Sequence, residues 1–233
     1  MTMFYIFLGL FIVASTVHLV FCFIENEKSR RITKCFCMVF LCISVIFSSN
    51  GAIKILLPFS CFFALLGDFF MLWQHKKTQL VLSGISFNIE HVLNLTIICL
   101  ALSYVVPYYV FIVLGLLIVA VTVFGMLKVK NKINAIAFGY FAIHSVLLVF
   151  SVLLFIDSLQ VTSLYPHKTP WVFCLMVLVG YVLFIISDII LALSKFKFTL
   201  KRKHFIIMLP YLVAQSLIFI GLSFSVIRTM LEG

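Results

Sequence analysis

Residues 170–194 read PWVFCLMVLVGYVLFIISDIILALS and contain a single charged side chain, Asp188. A helix that spans a bilayer needs about 20 predominantly apolar residues, and backbone groups in hydrocarbon must form their hydrogen bonds within the segment. The stretch therefore predicts a transmembrane α-helix. The whole chain has the same character, because 64% of its 233 residues are hydrophobic and 10% are charged. A soluble domain has roughly 45–50% apolar and about 25% charged residues.

Seven further apolar runs predict an all-α integral membrane protein, a single domain over residues 1–233 with about eight transmembrane helices. The eight runs are 4–24, 33–49, 52–74, 78–104, 107–127, 133–156, 170–194 and 204–228. The break between the second and third rests on the turn-forming cluster at residues 48–51, SSNG. The first run is interpreted as a helix, because residues 1–3 lack the basic segment of a secretory signal.

The basic residues are concentrated in alternate connections between the predicted helices. The first, third, fifth and seventh connections carry fourteen cations: Lys28, Arg30, Arg31, Lys34, Lys76, Lys77, Lys128, Lys130, Lys132, Lys195, Lys197, Lys201, Arg202 and Lys203. The other side has Lys168 and Arg228, with Lys54 just inside the third helix. By the positive-inside rule the odd-numbered connections are cytosolic, so both termini are expected on the non-cytosolic side. Since the cations mark helix ends, they suit anionic lipid headgroups and no nucleic-acid partner is expected.

Two aspartates, Asp68 and Asp188, lie inside the third and seventh predicted helices. Each precedes a polar helix end by seven residues, at His75 and Lys195. At about 1.5 Å rise per residue, both carboxylates should lie roughly 10 Å from the cytosolic end of their helices. Ionisable groups in a membrane are costly and are functional candidates. The two aspartates are expected to share one site if their helices are neighbours. The alternative is that each pairs separately with a polar side chain and fixes helix packing.

Other polar side chains recur inside the predicted helices. Asn88, His91 and Asn94 are spaced three apart and are expected on one stripe of the fourth helix, with Glu90 turned away by about 100°. For a membrane histidine, an interhelical hydrogen bond is the simpler alternative to a functional role. Four more polar residues occupy the later predicted helices: His144, Tyr181, Tyr211 and Gln215.

Several of these segments resemble the lysoplasmalogenase (YhhN-like) family of multi-pass membrane proteins. The matching segments are 63–74 (FALLGDFFMLWQ), 84–91 (GISFNIEH), 180–198 (GYVLFIISDIILALSKFKF) and 207–215 (IMLPYLVAQ). The resemblance covers roughly residues 50–225, and ISDIILALSKF is its most specific part. Glu90 departs from it, because a small or apolar residue is expected before the histidine.

The resemblance implies hydrolysis of the vinyl-ether bond of lysoplasmalogens, giving a fatty aldehyde and glycerophosphoethanolamine or glycerophosphocholine. It implies that Asp68 and Asp188 are catalytic. Protonation of the vinyl-ether β-carbon leaves an oxocarbenium ion that water attacks, which calls for one protonated and one ionised carboxyl; a low-dielectric site can hold both states. No metal or cofactor is expected. The side chains expected to contact the substrate or support the carboxylates are Asn88, His91, Tyr181, Tyr211 and Gln215.

Two other functions stay open on the sequence. A small transporter or channel would use the Asp pair for proton or cation coupling. A metal-dependent hydrolase would use Asp68, His91, His144 and Asp188, although no H-E-x-x-H motif is present. Expected partners are a lysophospholipid substrate and bilayer lipids, with the oligomeric state left open. The compact connections and the lack of a tail favour a bacterial inner membrane over the endoplasmic reticulum.

Overall fold

The computed structural model describes residues 2–48, 53–73, 76–102, 135–159, 170–196 and 201–225. In these ranges the chain forms seven α-helices and no strand. The helices are α1 (Thr2–Phe23), α2 (Glu27–Ser48), α3 (Ile53–Met71), α4 (Lys77–Ala101), α5 (Ala135–Leu159), α6 (Trp171–Phe196) and α7 (Lys203–Ser225). Each contains a stretch long and apolar enough to cross a membrane, so the described chain is an all-helical integral membrane protein.

Seven of the eight predicted spans coincide with these helices, and the fifth, 107–127, lies outside the described residues. The separation of the second and third spans is confirmed, since α2 ends at Ser48 and α3 begins at Ile53. The predicted start of the second span near residue 33 is wrong, because α2 begins at Glu27 and a Glu27–Arg31 salt bridge spans its first turn. Four cations assigned to a loop therefore belong to α2: Lys28, Arg30, Arg31 and Lys34.

Contacts along the helices fix their relative directions. The first four helices alternate in direction along the chain, and the hydrogen bond from Ser83 Oγ in α4 to the Gly67 carbonyl in α3 (2.9 Å) shows one such antiparallel pair near the connected ends. Helix α7 is parallel to α2, because Ser48 Oγ lies 2.8 Å from Ser223 Oγ at one end and Lys34 lies over the Tyr211 ring at the other.

The later helices complete this pattern of directions. Helix α6 is antiparallel to α7, with Gly180 against Ala214 and Gly221 against Phe173. Helix α5 is antiparallel to α6. His144 in the first half of α5 contacts Asp188 in the second half of α6, and Ser158 at the end of α5 lies near Cys174 at the start of α6. Helices α4 and α5 therefore run in the same direction, so α4 ends and α5 begins at opposite faces of the bundle.

The two ends of the described chain lie at the same face of the bundle. The rings of Phe4 in α1 and Phe224 in α7 are 5.4 Å apart. At the opposite face, the α1–α2 and α6–α7 connections meet: the Arg202 backbone N–H donates to Glu25 Oε1 (3.1 Å), and its guanidinium lies 3.7 Å from the Phe23 ring centroid. Glu25 and Arg202 both have positive φ, 57° and 54°. Such backbone costs energy in a non-glycine residue, so this junction is held by its side-chain contacts.

Close approach of α6 and α7 depends on two glycines. A Cβ on Gly180 would lie 2.6 Å from Ile218 Cγ1, and one on Gly221 would lie 2.8 Å from the Phe173 carbonyl oxygen. Small residues at such positions let membrane helices pack backbone to backbone. This packing sets the relative position of Asp188 on α6 and Tyr211 on α7.

Candidate functional site

The first half of the site is an ion pair between α2 and α3. Lys34 Nζ lies 2.9 Å from Asp68 Oδ1, and the Asp68 side chain is 1% exposed. The Tyr211 hydroxyl of α7 lies close to the Asp68 carboxylate, while the Lys34 ammonium lies 5.8 Å from the Tyr211 ring centroid. Because a buried charge is tolerated only when it is paired, the Lys34 ammonium favours the carboxylate form of Asp68.

The second half of the site lies between α5 and α6. His144 Nε2 is 3.7 Å from Asp188 Oδ2, an ion-pair distance when the imidazole is protonated. The His144 ring packs edge to face on His91, with centroids 4.1 Å apart. Phe184 lies against both imidazoles, at 5.4 Å from His91 and 4.8 Å from His144. Asp188 therefore faces a pair of imidazoles in an aromatic environment.

The expectation that Asp68 and Asp188 share one site assumed that their helices are neighbours. Helices α3 and α6 do not pack against each other in the described chain, so the condition for a shared Asp dyad is not met. Each aspartate instead has its own basic partner, Lys34 or His144. The two halves lie in one buried polar layer and are joined by side chains from α4 and α7.

The joining side chain on α4 is Glu90, which is fully buried. Its carboxyl lies next to Gln215 and within electrostatic range of both Asp68 and Asp188. The expectation that Glu90 turns away from the functional stripe is therefore wrong. One signal in the sequence did point to it, since a charged residue within an apolar run is a functional candidate by the same rule that selects the aspartates.

The other residues selected from the sequence divide into two groups. Tyr181 and Asn94 are buried next to each other between α6 and α4, and Gln215 Nε2 donates to Tyr211 Oη at 3.4 Å. These side chains, with His91, belong to the polar layer. Asn88 does not: it is partly exposed, donates to the Gly84 carbonyl of its own helix (2.9 Å), and lines an apolar groove on the outer surface of α4.

Lys34 is the second residue of the site that the sequence pattern does not single out. Its position beside other cations predicts only a role in orientation, yet it lies two turns inside α2 and its side chain is 13% exposed. The early start of α2 was the available signal, because a Glu-x-x-x-Arg pair at residues 27–31 extends the helix beyond the apolar run.

The arrangement suits proton transfer and stabilisation of a cation. It combines a carboxylate fixed by an ammonium, a second carboxylate beside imidazoles, and aromatic rings that exclude water, which strengthens electrostatic interactions. In the part of the chain that the structure describes, no group of three or more His, Cys, Asp or Glu side chains is placed to hold a metal. The four residues that the metal-dependent alternative requires are thus not arranged as a ligand set.

Fold and site together define a multi-pass α-helical membrane protein with a buried, carboxylate-rich site. The YhhN family model matches residues 29–222, and the chain belongs to this family, which includes lysoplasmalogenases. No curated protein and no solved structure matches the chain. The matched range contains every residue of the polar layer, from Lys34 to Gln215.

Proposed function

We propose that the protein is a lysoplasmalogenase, a hydrolase that cleaves the vinyl-ether bond of lysoplasmalogens to a fatty aldehyde and glycerophosphoethanolamine or glycerophosphocholine. The observation that carries the proposal is that the two aspartates have different partners: Lys34 Nζ lies 2.9 Å from Asp68 Oδ1, while Asp188 lies beside the titratable His144. Family membership supports the reaction class. The partners are the lysophospholipid substrate and the surrounding bilayer lipids.

The division of charge suggests a role for each aspartate. The Asp188–His144 pair delivers a proton to the β-carbon of the vinyl ether, and the electron pair of the double bond forms the new C–H bond. The resulting oxocarbenium ion is stabilised by the Asp68 carboxylate, as preorganised charge stabilises a developing cation. Asp68 then accepts a proton from the water that adds to the oxocarbenium carbon. In the collapse of the hemiacetal, Asp68 returns its proton to the departing glycerol oxygen, and the Asp188–His144 pair takes the proton of the hemiacetal hydroxyl as the aldehyde forms.

We also propose that eight helices span the membrane and that both termini are non-cytosolic. The parallel directions of α4 and α5 support an additional crossing between them. The face at which the α1–α2 and α6–α7 connections meet carries exposed cations, among them Lys28, Arg31, Lys201 and Arg202, which favours the cytosol. A bacterial inner membrane is the favoured location.

The proposal is tested by aldehyde release from lysoplasmenylethanolamine and lysoplasmenylcholine with purified protein in detergent. We expect aldehyde from the wild type and a loss of at least about 100-fold in Asp68→Asn and Asp188→Asn. Asn88→Ala is the matched control, because Asn88 lies outside the polar layer, and it should retain activity. A folded wild type that releases no aldehyde from either lipid would contradict the proposal. Proton-coupled transport in sealed vesicles would then be the next activity to measure.

A further inference from the structure

Glu90 is a third buried carboxyl in the polar layer, and its surroundings differ from those of the aspartates. Among the residues that the structure describes, Asp68 and Asp188 are the charged groups that influence its carboxyl. Among the described residues the salt bridges are Lys34–Asp68, His144–Asp188 and Arg31–Glu27, so no cation pairs with Glu90. An isolated buried carboxylate is very costly, and such a group is normally neutralised by a proton.

One hydrogen bond of Gln215 has a definite direction. Gln215 Nε2 donates to Tyr211 Oη at 3.4 Å, and the Tyr211 hydroxyl lies close to the Asp68 carboxylate. This leaves Gln215 Oε1 buried, with no hydrogen-bond donor among the described side chains. Neither carboxyl oxygen of Glu90 accepts a hydrogen bond from a described donor, although the carboxyl lies next to Gln215. Two acceptor oxygens can bond only if one of them carries a proton.

We propose that Glu90 is a neutral carboxylic acid that donates its proton to Gln215 Oε1. A continuous chain of donors then runs from Glu90 through Gln215 and Tyr211 to Asp68, which is paired with Lys34. An ionised Glu90 would instead compete for the Gln215 amide N–H and remove the donor to Tyr211. Glu90 is thus a positioning residue that acts on Asp68 through two side chains. The effect on catalysis rests on the proposed function, whereas the protonation of Glu90 does not.

Infrared spectroscopy tests the protonation directly and needs no substrate. A protonated carboxylic acid has a carbonyl stretch that an ionised carboxylate lacks. Purified wild type should show this band at neutral pH, and Glu90→Gln should lose a component of it. Asp68→Asn should keep that component, because Asp68 is the ionised partner of Lys34. A band that is unchanged in Glu90→Gln would overturn the proposal.

Aldehyde release tests the positioning role with two variants of Glu90. Glu90→Gln keeps a neutral donor for Gln215 Oε1, so its kcat should stay within about threefold of wild type. Glu90→Ala removes the donor and leaves a buried acceptor unpaired, so kcat should fall roughly tenfold or more with little change in KM. Equal loss in both variants, or wild-type kcat in Glu90→Ala, would contradict the role. If the wild type released no aldehyde, the proposed function would fail while the infrared result still decided the state of Glu90.

Discussion

Removing the Lys34 ammonium should destabilise the bundle through the carboxylate that it leaves behind. In Lys34→Met the stem of the side chain is largely kept, but Asp68, at 1% exposure, loses its cation. Breaking a fully buried ion pair costs about 3–5 kcal/mol. Because Lys34 is 13% exposed, part of its charge is solvated, and we expect a loss of about 2–4 kcal/mol in the free energy of unfolding.

That loss corresponds to a fall in Tm of about 5–15 °C, since each kcal/mol shifts the Tm of a chain of this size by about 2–4 °C. The assay is thermal unfolding of detergent-purified protein, followed by intrinsic fluorescence. Lys28→Met is the matched control on the same helix, because Lys28 is exposed, and its Tm should stay within about 2 °C of wild type. The double variant Lys34→Met/Asp68→Asn should recover most of the stability, because it removes both charges.

Activity separates the stabilising role of Lys34 from its role in the reaction. The double variant should be stable and inactive, since it has no carboxylate to stabilise the oxocarbenium ion. If Lys34→Met unfolds at the same temperature as Lys28→Met and releases aldehyde at the wild-type rate, the Lys34–Asp68 pair neither stabilises the bundle nor sets the charge of the site. That result would refute the proposal that Asp68 is ionised while Asp188 and His144 supply the proton.

Three further predictions concern the site, the helix packing and the topology. Tyr211→Phe removes the hydroxyl that lies close to Asp68, and kcat should fall about tenfold or more with a small change in Tm; an unchanged kcat would show that the hydroxyl has no part in the reaction. Gly221→Ala places a Cβ 2.8 Å from the Phe173 carbonyl oxygen and should cost about 1–3 kcal/mol in unfolding, whereas Gly9→Ala, with open space around its Cβ, should cost under about 1 kcal/mol; equal Tm values in the two variants would contradict the packing. An alkaline phosphatase fused after the last residue should be active in a bacterial host and a fluorescent protein fused there should be dark, and the reverse result would invert the proposed orientation.

The helices could be predicted from the sequence because hydrophobic length is a local property. Residues 170–194 fix α6 without knowledge of any neighbour, and the charge pattern separates the two faces of the bundle. Which helices pack against each other depends on residues far apart in the sequence. The apolar runs do not indicate that α3 packs against α4 and α7 but not against α6. For this reason the sequence could not show that the helices of Asp68 and Asp188 are not neighbours, although both aspartates lie in the same buried layer.

The assignment of residues on α4 failed for a geometric reason. A spacing of three residues turns a helix by about 300°, so Asn88 and Asn94, two such steps apart, differ by about 120° in direction. Glu90 and Asn94, four residues apart, differ by only about 40°. Asn94 and Glu90 are accordingly both fully buried, while Asn88 is partly exposed.

Hydrolysis in deuterium oxide tests the proton-transfer step most directly. Purified protein would be incubated with lysoplasmenylethanolamine in D₂O, and the aldehyde would be reduced as it forms and analysed by mass spectrometry. Protonation of the β-carbon by the Asp188–His144 pair predicts one deuterium on the carbon next to the aldehyde, at a rate that Asp188→Asn abolishes. Aldehyde without deuterium at that carbon, or full activity in Asp188→Asn, would contradict the account.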